Sequence, residues 1–148
     1  MKKVRGLMSV VVAGLLMGGG YAYAHADAAK AANGGQVQDA GGNHWELVVV
    51  KDSPEPRDNP VLVYLTDGTG KKLATAGATG TATLLAGKDK SVVTLAPDGD
   101  NRMKGVGKYA SVAGMKAVVS ITLPDKAAAQ ARFTPLVATF DGHTDHAH

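Results

Sequence analysis

The sequence predicts an all-β protein: an antiparallel β-sandwich, immunoglobulin-like in layout, with a small closed β-barrel as the alternative. Three observations carry this. Glycine is abundant, 19 of 148 residues, while aromatic residues make up 5%, a balance that favours turns over helical bundles. From Gly34 onward, short runs rich in Val, Leu, Thr and Tyr alternate with Gly, Pro, Asn and Asp turn signals. No stretch of that region carries a convincing amphipathic helical stripe.

Taken in order, Gln36–Gln38 is a short first strand, and Gly41-Gly42-Asn43 turns the chain. His44–Lys51 (HWELVVVK) is a strong strand with Trp45, Leu47 and Val49 on one face. Residues 52–60 hold three prolines and several charges and read as a loop. Pro60–Thr66 is the next strand, and Asp67-Gly68-Thr69-Gly70 is a hairpin turn. Lys71–Ala76, Ala78–Leu85 and Ser91–Ala96 follow as strands, with a turn at 97–101. One short strand is expected near Met103 within 102–116. Lys116–Leu123 and Ala128–Thr134 close a domain over 34–134. The alanines at 127–129 and 131 favour helix, but they sit between a Pro124-Asp125 turn and Arg132-Phe133-Thr134, so a strand is expected there. The count is about eight strands.

Residues 1–24 read as a secretory signal peptide. Lys2, Lys3 and Arg5 precede an apolar run over 7–20, and Ala22-Tyr23-Ala24 places small residues before a cleavage point. The run is about 14 residues, short of the roughly 20 that span a bilayer. Cleavage after Ala24 makes His25 the new N-terminus, whereas cleavage after Ala26 discards it. The expected address is the periplasm, with no membrane span once the signal is removed. Residues 25–33 read as a disordered leader, and 135–148 as a flexible His-rich tail.

Export also changes the charge. The chain has 16 Lys and Arg against 13 Asp and Glu, and Lys2, Lys3 and Arg5 are the whole excess, so the remainder is formally neutral. A neutral chain lacks the basic footprint of nucleic-acid binders. The absence of cysteine excludes disulfides, thiolate metal sites and a Cys nucleophile. Gly68-Thr69-Gly70-Lys71 lacks the spacing and the final hydroxyl of a phosphate loop. Ser53, Ser91, Ser111 and Ser120 lie in no G-x-S-x-G context. Nothing points to catalysis, and the protein is expected not to be an enzyme.

The histidines carry the chemistry. His143, His146 and His148 crowd the last six residues, a compositional signature of metal binding. Imidazole suits Cu, Zn and Ni, and Asp141, Asp145 and the terminal carboxylate add oxygen donors. His25, if N-terminal, offers its amine and ring nitrogen together, a set that suits square-planar Cu(II). His44 and Glu46 lie two apart on a strand and share a face, where they are either a nitrogen–oxygen pair for an ion or ordinary polar residues facing water. Met103 and Met115 would add soft donors for Cu(I) beside His44, although methionine pairs are commonly core filler.

Several stretches also resemble a known group. These are Gly34-Gly35-Gln36-Val37, His44-Trp45-Glu46-Leu47-Val48, Val63-Tyr64-Leu65-Thr66-Asp67, Gly70-Lys71-Lys72-Leu73 and Arg132-Phe133-Thr134. Together they resemble small periplasmic β-sandwich proteins of bacterial heavy-metal resistance, and are similar to a domain of heavy-metal efflux periplasmic adaptor subunits. The resemblance covers about residues 34–134, with Trp45 where Phe is expected. His44 and Glu46 match its pattern, while His25 and the tail histidines lie outside it. It implies a periplasmic β-sandwich that handles copper or another divalent heavy metal, with an efflux component as a possible partner. The expectation is therefore a metal-capturing or metal-carrying protein, with His143, Asp145, His146, His148, His25, His44 and Glu46 as candidate ligands and Cu or Zn as the ion. The alternative is an interaction module that docks to an envelope or efflux assembly and carries incidental histidines.

Overall fold

In the computed structural model, which describes residues 31–137, eight strands form the fold: β1 (Gln36–Ala40), β2 (Asn43–Val49), β3 (Arg57–Thr66), β4 (Thr79–Ala86), β5 (Asp89–Pro97), β6 (Arg102–Tyr109), β7 (Lys116–Thr122) and β8 (Ala129–Phe133). All pairings are antiparallel, in the order β1-β2-β3-β6-β5-β4-β7-β8. The all-β expectation is met, and of the two expected layouts the small barrel fits this pairing. The first and last strands approach each other and nearly close the sheet. The Thr134 amide donates to Gln36 Oε1 at 2.7 Å, and Gln36 Nε2 donates to Thr134 Oγ1 at 3.4 Å. At the other end of the seam, a side chain placed at Gly41 would meet Ala129 Cβ at 3.2 Å.

Strand alternation explains what lies inside. Trp45, Leu47 and Val49 of β2, Val61, Val63 and Leu65 of β3, and Ala117, Val119 and Ile121 of β7 are buried at every second position. Val93, Leu95, Met103, Met115 and Phe133 complete the core. Both methionines are fully buried there, which corrects the idea that they join His44 in a soft metal site. Their thioethers fill core space, as is common. Trp45 points inward as expected, and its Nε1 has no hydrogen-bond partner among the described residues.

Three elements depart from the sequence reading. Arg57–Pro60, expected in a loop, extends β3. Proline is tolerated at position 60 because β2 pairing begins only at Val61, so β6 alone flanks this part of the strand. Lys71–Ala76, expected as a strand, forms only an isolated bridge between Thr66 and Lys72. The place beside β3 is taken by β6, so this segment must cross to β4. It is tied down in passing by the Thr75 amide, which donates to Asp100 O at 3.1 Å. The strand near Met103 is longer than expected, running over Arg102–Tyr109. Its inward glycines hid it, because glycine depresses strand propensity. The Ala-rich segment near 129 is a strand, as read, because Ala131 and Phe133 alternate into the core.

Gly105 and Gly107 are required by close approach. The backbone pairing of β5 with β6 covers only Ala96↔Lys104 and Pro97↔Met103. Beyond that point the ladder ends but the two strands stay in close approach, and Val93 of β5 fills the space beneath the two glycines. Tyr109 then fastens the barrel end. Its hydroxyl donates to Pro60 O at 2.5 Å and accepts from the Val50 amide at 3.1 Å. Burial pushes the phenol's pKa up.

The Asp67 turn is held by its own carboxylate. Asp67 Oδ1 accepts from Thr69 Oγ1 at 2.6 Å and from the amides of Thr69 and Lys71 at 2.9 and 3.0 Å. These bonds, the Thr69 hydroxyl first, hold the carboxyl below the usual carboxylate range. A folded-state pKa below the unfolded one stabilises the turn above the unfolded value, and that support is lost as pH falls through the folded value. An NMR titration should therefore show Asp67 protonating below about 3.9, the ordinary aspartate value. Asp67→Asn should abolish the coupled shift of the Thr69 amide.

Candidate metal-binding site

The β1–β2 hairpin builds the site. Gly41 and Gly42 form a two-residue turn with φ of 58° and 80°, the left-handed pair that a type I′ hairpin requires. This turn sets the register: Ala40 faces Asn43, and Asp39 faces His44. The carboxylate and imidazole directly opposite each other then meet, with Asp39 Oδ1 2.5 Å from His44 Nδ1. His44 is 27% exposed in its side chain and Asp39 78%.

His44 and Glu46 share the outer face of β2, as expected from alternation, and both line one cleft of about 350 Å³. Tyr64, Thr66, Lys72, Asn101 and Ala32 also line it. Tyr64 is held on its outer side by Arg102, which donates to the phenol oxygen at 3.4 Å and lies 5.8 Å from the ring centroid. A salt bridge of 2.5 Å to Asp98 fixes that guanidinium in turn.

Glu46 is 6% exposed, although it sits on the outer face. The chain entering β1 covers it. Oε2 accepts from the amides of Asn33 and Gly35 at 2.8 and 2.9 Å. Oε1 accepts from the Asn33 amide at 3.2 Å and from Asn33 Nδ2 at 3.1 Å. Both oxygens are thus occupied by N–H donors, so Glu46 anchors residues 33–35 to β2. In this arrangement the carboxylate nearest to His44's chemistry is Asp39, which the sequence reading did not single out. A two-residue Gly-Gly hairpin was the signal that would have placed Asp39 opposite His44.

His25, His143, Asp145, His146 and His148 lie outside the described residues, as does Asp141. Among the described residues no group of three or more His, Asp or Glu is gathered closely enough to hold a metal ion. No helix of the described residues is long and apolar enough to cross a membrane. Three of the four serines serve as structural ties: Ser53 Oγ donates to Glu55 O at 2.7 Å, Ser111 Oγ to Val50 O at 2.6 Å, and Ser91 Oγ to Lys108 O.

Fold and hairpin together define a small antiparallel β-barrel that carries a histidine–carboxylate pair at the rim of a cleft. No protein family, curated protein or solved structure matches the chain.

Proposed function

We propose that the protein captures or carries a metal ion, copper or another divalent heavy metal, without catalysis, and that the histidines of its two chain ends are the main ligands. The observation that carries this reading is the seam between β1 and β8. Gln36 and Thr134 are hydrogen-bonded to each other, so the segments bearing His25 and the tail histidines leave the barrel at the same place. Residues 26–35 link His25 to this point, with Asn33 and Gly35 held on Glu46, and residues 135–142 link it to His143. At up to about 3.5 Å per residue, the longest reach of residues 26–32 is roughly 25 Å and that of residues 135–142 roughly 30 Å. Tethering both ends at one point raises the effective concentration of one set of ligands near the other. Ligating imidazole must be neutral, so capture weakens as pH falls below about 6.5. The exported address and the link to efflux are parts of the same reading.

The test is competitive titration of the chain beginning at His25 with Cu(II), Zn(II) and Cu(I), after mass spectrometry has fixed the N-terminus of the secreted form. Micromolar or tighter binding, falling at least ~10-fold when residues 141–148 are removed, is the expected outcome. A truncated chain that binds as tightly as the full one overturns the role of the tail. Absence of binding to the full chain overturns the reading. The barrel would then be better read as an interaction module. That second reading draws on Val92 and Val106, which are 64% and 59% exposed on the outside of β5 and β6, where an isolated barrel gains nothing from them.

A further inference from the structure

We propose that the outer face of β4, β5, β6 and β7 is a docking surface for an anionic lipid bilayer, which the barrel meets side-on without crossing it. This surface includes the exposed valines of β5 and β6, and its role is independent of metal capture.

Folding sorts the charges of a chain that is neutral by count. The outward positions of β4 to β8 include Lys90, Arg102, Lys104, Lys108, Lys116 and Arg132, and none of them is Asp or Glu. The outward carboxylates of the strands are Asp39, Glu46 and Asp58, on β1, β2 and β3. Asp58 faces Lys108 across the β3–β6 ladder and marks the border of the basic face. Asp98 takes up Arg102. Asp89, at an inward position where β5 starts, lines a cavity at the barrel end with Leu84 and Tyr109. Lys90, Lys104, Lys116 and Arg132 form no ion pair among the described residues.

Register then sets apolar side chains among these cations. Leu85 lies between Lys90 and Lys116 in the two ladders that share β4, and Thr83 lies between Val92 and Val118. Lys88 extends the cation row into the β4–β5 turn. On the other side of β5, Ser91 Oγ donates to Lys108 O, which sets β6 and its Val106 beside Val92. Val92 and Val106 are the most exposed large apolar side chains of the eight strands. The result is an apolar ridge with Lys90 and Lys116 toward one end and Lys104 toward the other.

The residue types select the occupant. Protein-docking surfaces concentrate aromatic residues and arginine and are depleted in lysine, and single-stranded nucleic acids stack on aromatic side chains. The outward positions of β4 to β8 hold no aromatic residue, and their unpaired cations are lysines apart from Arg132 on the last strand. Lysine is a hydrated point charge on a long apolar stem, which suits a field of headgroups with no fixed geometry. Valine and leucine can enter the headgroup boundary while the ammonium groups meet lipid phosphates. Each lysine close to an anionic surface strengthens binding about 5-fold.

The experiment uses the chain from His25 to His148, a chelator to remove metal, and vesicles of phosphatidylcholine alone or of phosphatidylcholine and phosphatidylglycerol two to one. Sedimentation gives the partition coefficient. Binding is expected only to the anionic vesicles, and it should weaken as added salt shortens the Debye length below about 8 Å. K90Q/K104Q/K116Q is expected to lower the partition coefficient at least ~10-fold. K51Q/K71Q/K72Q removes the same charge outside this face and should lower it no more than about 2-fold. V92S/V106S should lower it at least ~3-fold through lost apolar burial. Lipids with a paramagnetic headgroup should broaden the amides of Val92 and Val106 more than those of Val37 and Glu46, since β1 and β2 lie across the barrel from β4 and β5. All the substituted side chains are exposed, and unchanged melting confirms the fold. Absence of binding to the anionic vesicles overturns the proposal, as does equal loss in the two lysine triples. Displacement by soluble polyglutamate, with V92S/V106S bound as tightly as the wild type, overturns the lipid assignment in favour of an acidic protein partner. Each of these failures leaves metal capture standing.

Discussion

Replacing Gly105 by alanine is expected to destabilise the fold by about 3 kcal/mol and to lower Tm by roughly 10–15 °C. An added methyl group there would overlap the Thr94 carbonyl oxygen and Cγ1 of Val93, with Leu95 Cδ2 at 3.2 Å. The first of these is main chain, so relief requires one strand to move against its neighbours. Thermal or urea unfolding measures the effect. Val106→Ala is the control, since that side chain is 59% exposed on the same strand and its loss should change stability by no more than about 0.5 kcal/mol.

Gly107 separates the causes. A methyl group there would overlap only the side chain of Val93. Combining Gly107→Ala with Val93→Ala should therefore cost less than the sum of the two single changes, with a coupling of about 1 kcal/mol or more. Val93→Ala should not rescue Gly105→Ala, because the Thr94 carbonyl remains in the way. Equal rescue at both positions would contradict the close approach of the β5 main chain to Gly105.

Loss of the Glu46 carboxylate is expected to be the second large effect. Glu46→Ala removes a buried acceptor of four short contacts from Asn33 and Gly35. Hydrogen bonds to charged groups contribute about 1.5–3 kcal/mol each in favourable cases, but the freed amides lie near the surface and water can replace part of that. A net cost of about 2 kcal/mol is expected. Glu46→Gln should be nearly as harmful, because both oxygens accept from N–H groups and an amide would turn a donor toward a donor.

Hydrogen exchange distinguishes this from general unfolding. The amides of Asn33 and Gly35 should lose protection in both variants, while those of β3 and β6 keep most of theirs.

These effects mark which features a linear reading reaches. The inward face of β2 was legible because alternation is a local property: Trp45, Leu47 and Val49 declare a buried face without reference to any other strand. The segment at Ala129–Phe133 was legible from its flanks, the Pro124-Asp125 turn and Arg132-Phe133-Thr134, which outweighed alanine's helix preference. Lys71–Ala76 was misread because its composition suits a strand, whereas strand formation needs a partner and β6 already occupies the edge of β3. The extent of β6 was hidden by Gly105 and Gly107, whose purpose is visible only once Val93 lies beneath them.

The candidate site divides in the same way. That His44 and Glu46 share a face follows from the two-residue repeat of a strand and was available from the sequence alone, as were the histidine-rich tail and the neutral charge left after residues 1–24. Tertiary structure decided the rest. It assigned Glu46 to the incoming residues 33–35, buried Met103 and Met115 in the core, placed Asp39 against His44, and brought the first and last strands to one seam. Periodicity specifies which way a side chain faces. Only pairing register and sheet closure, which join residues far apart in the chain, specify what it meets there.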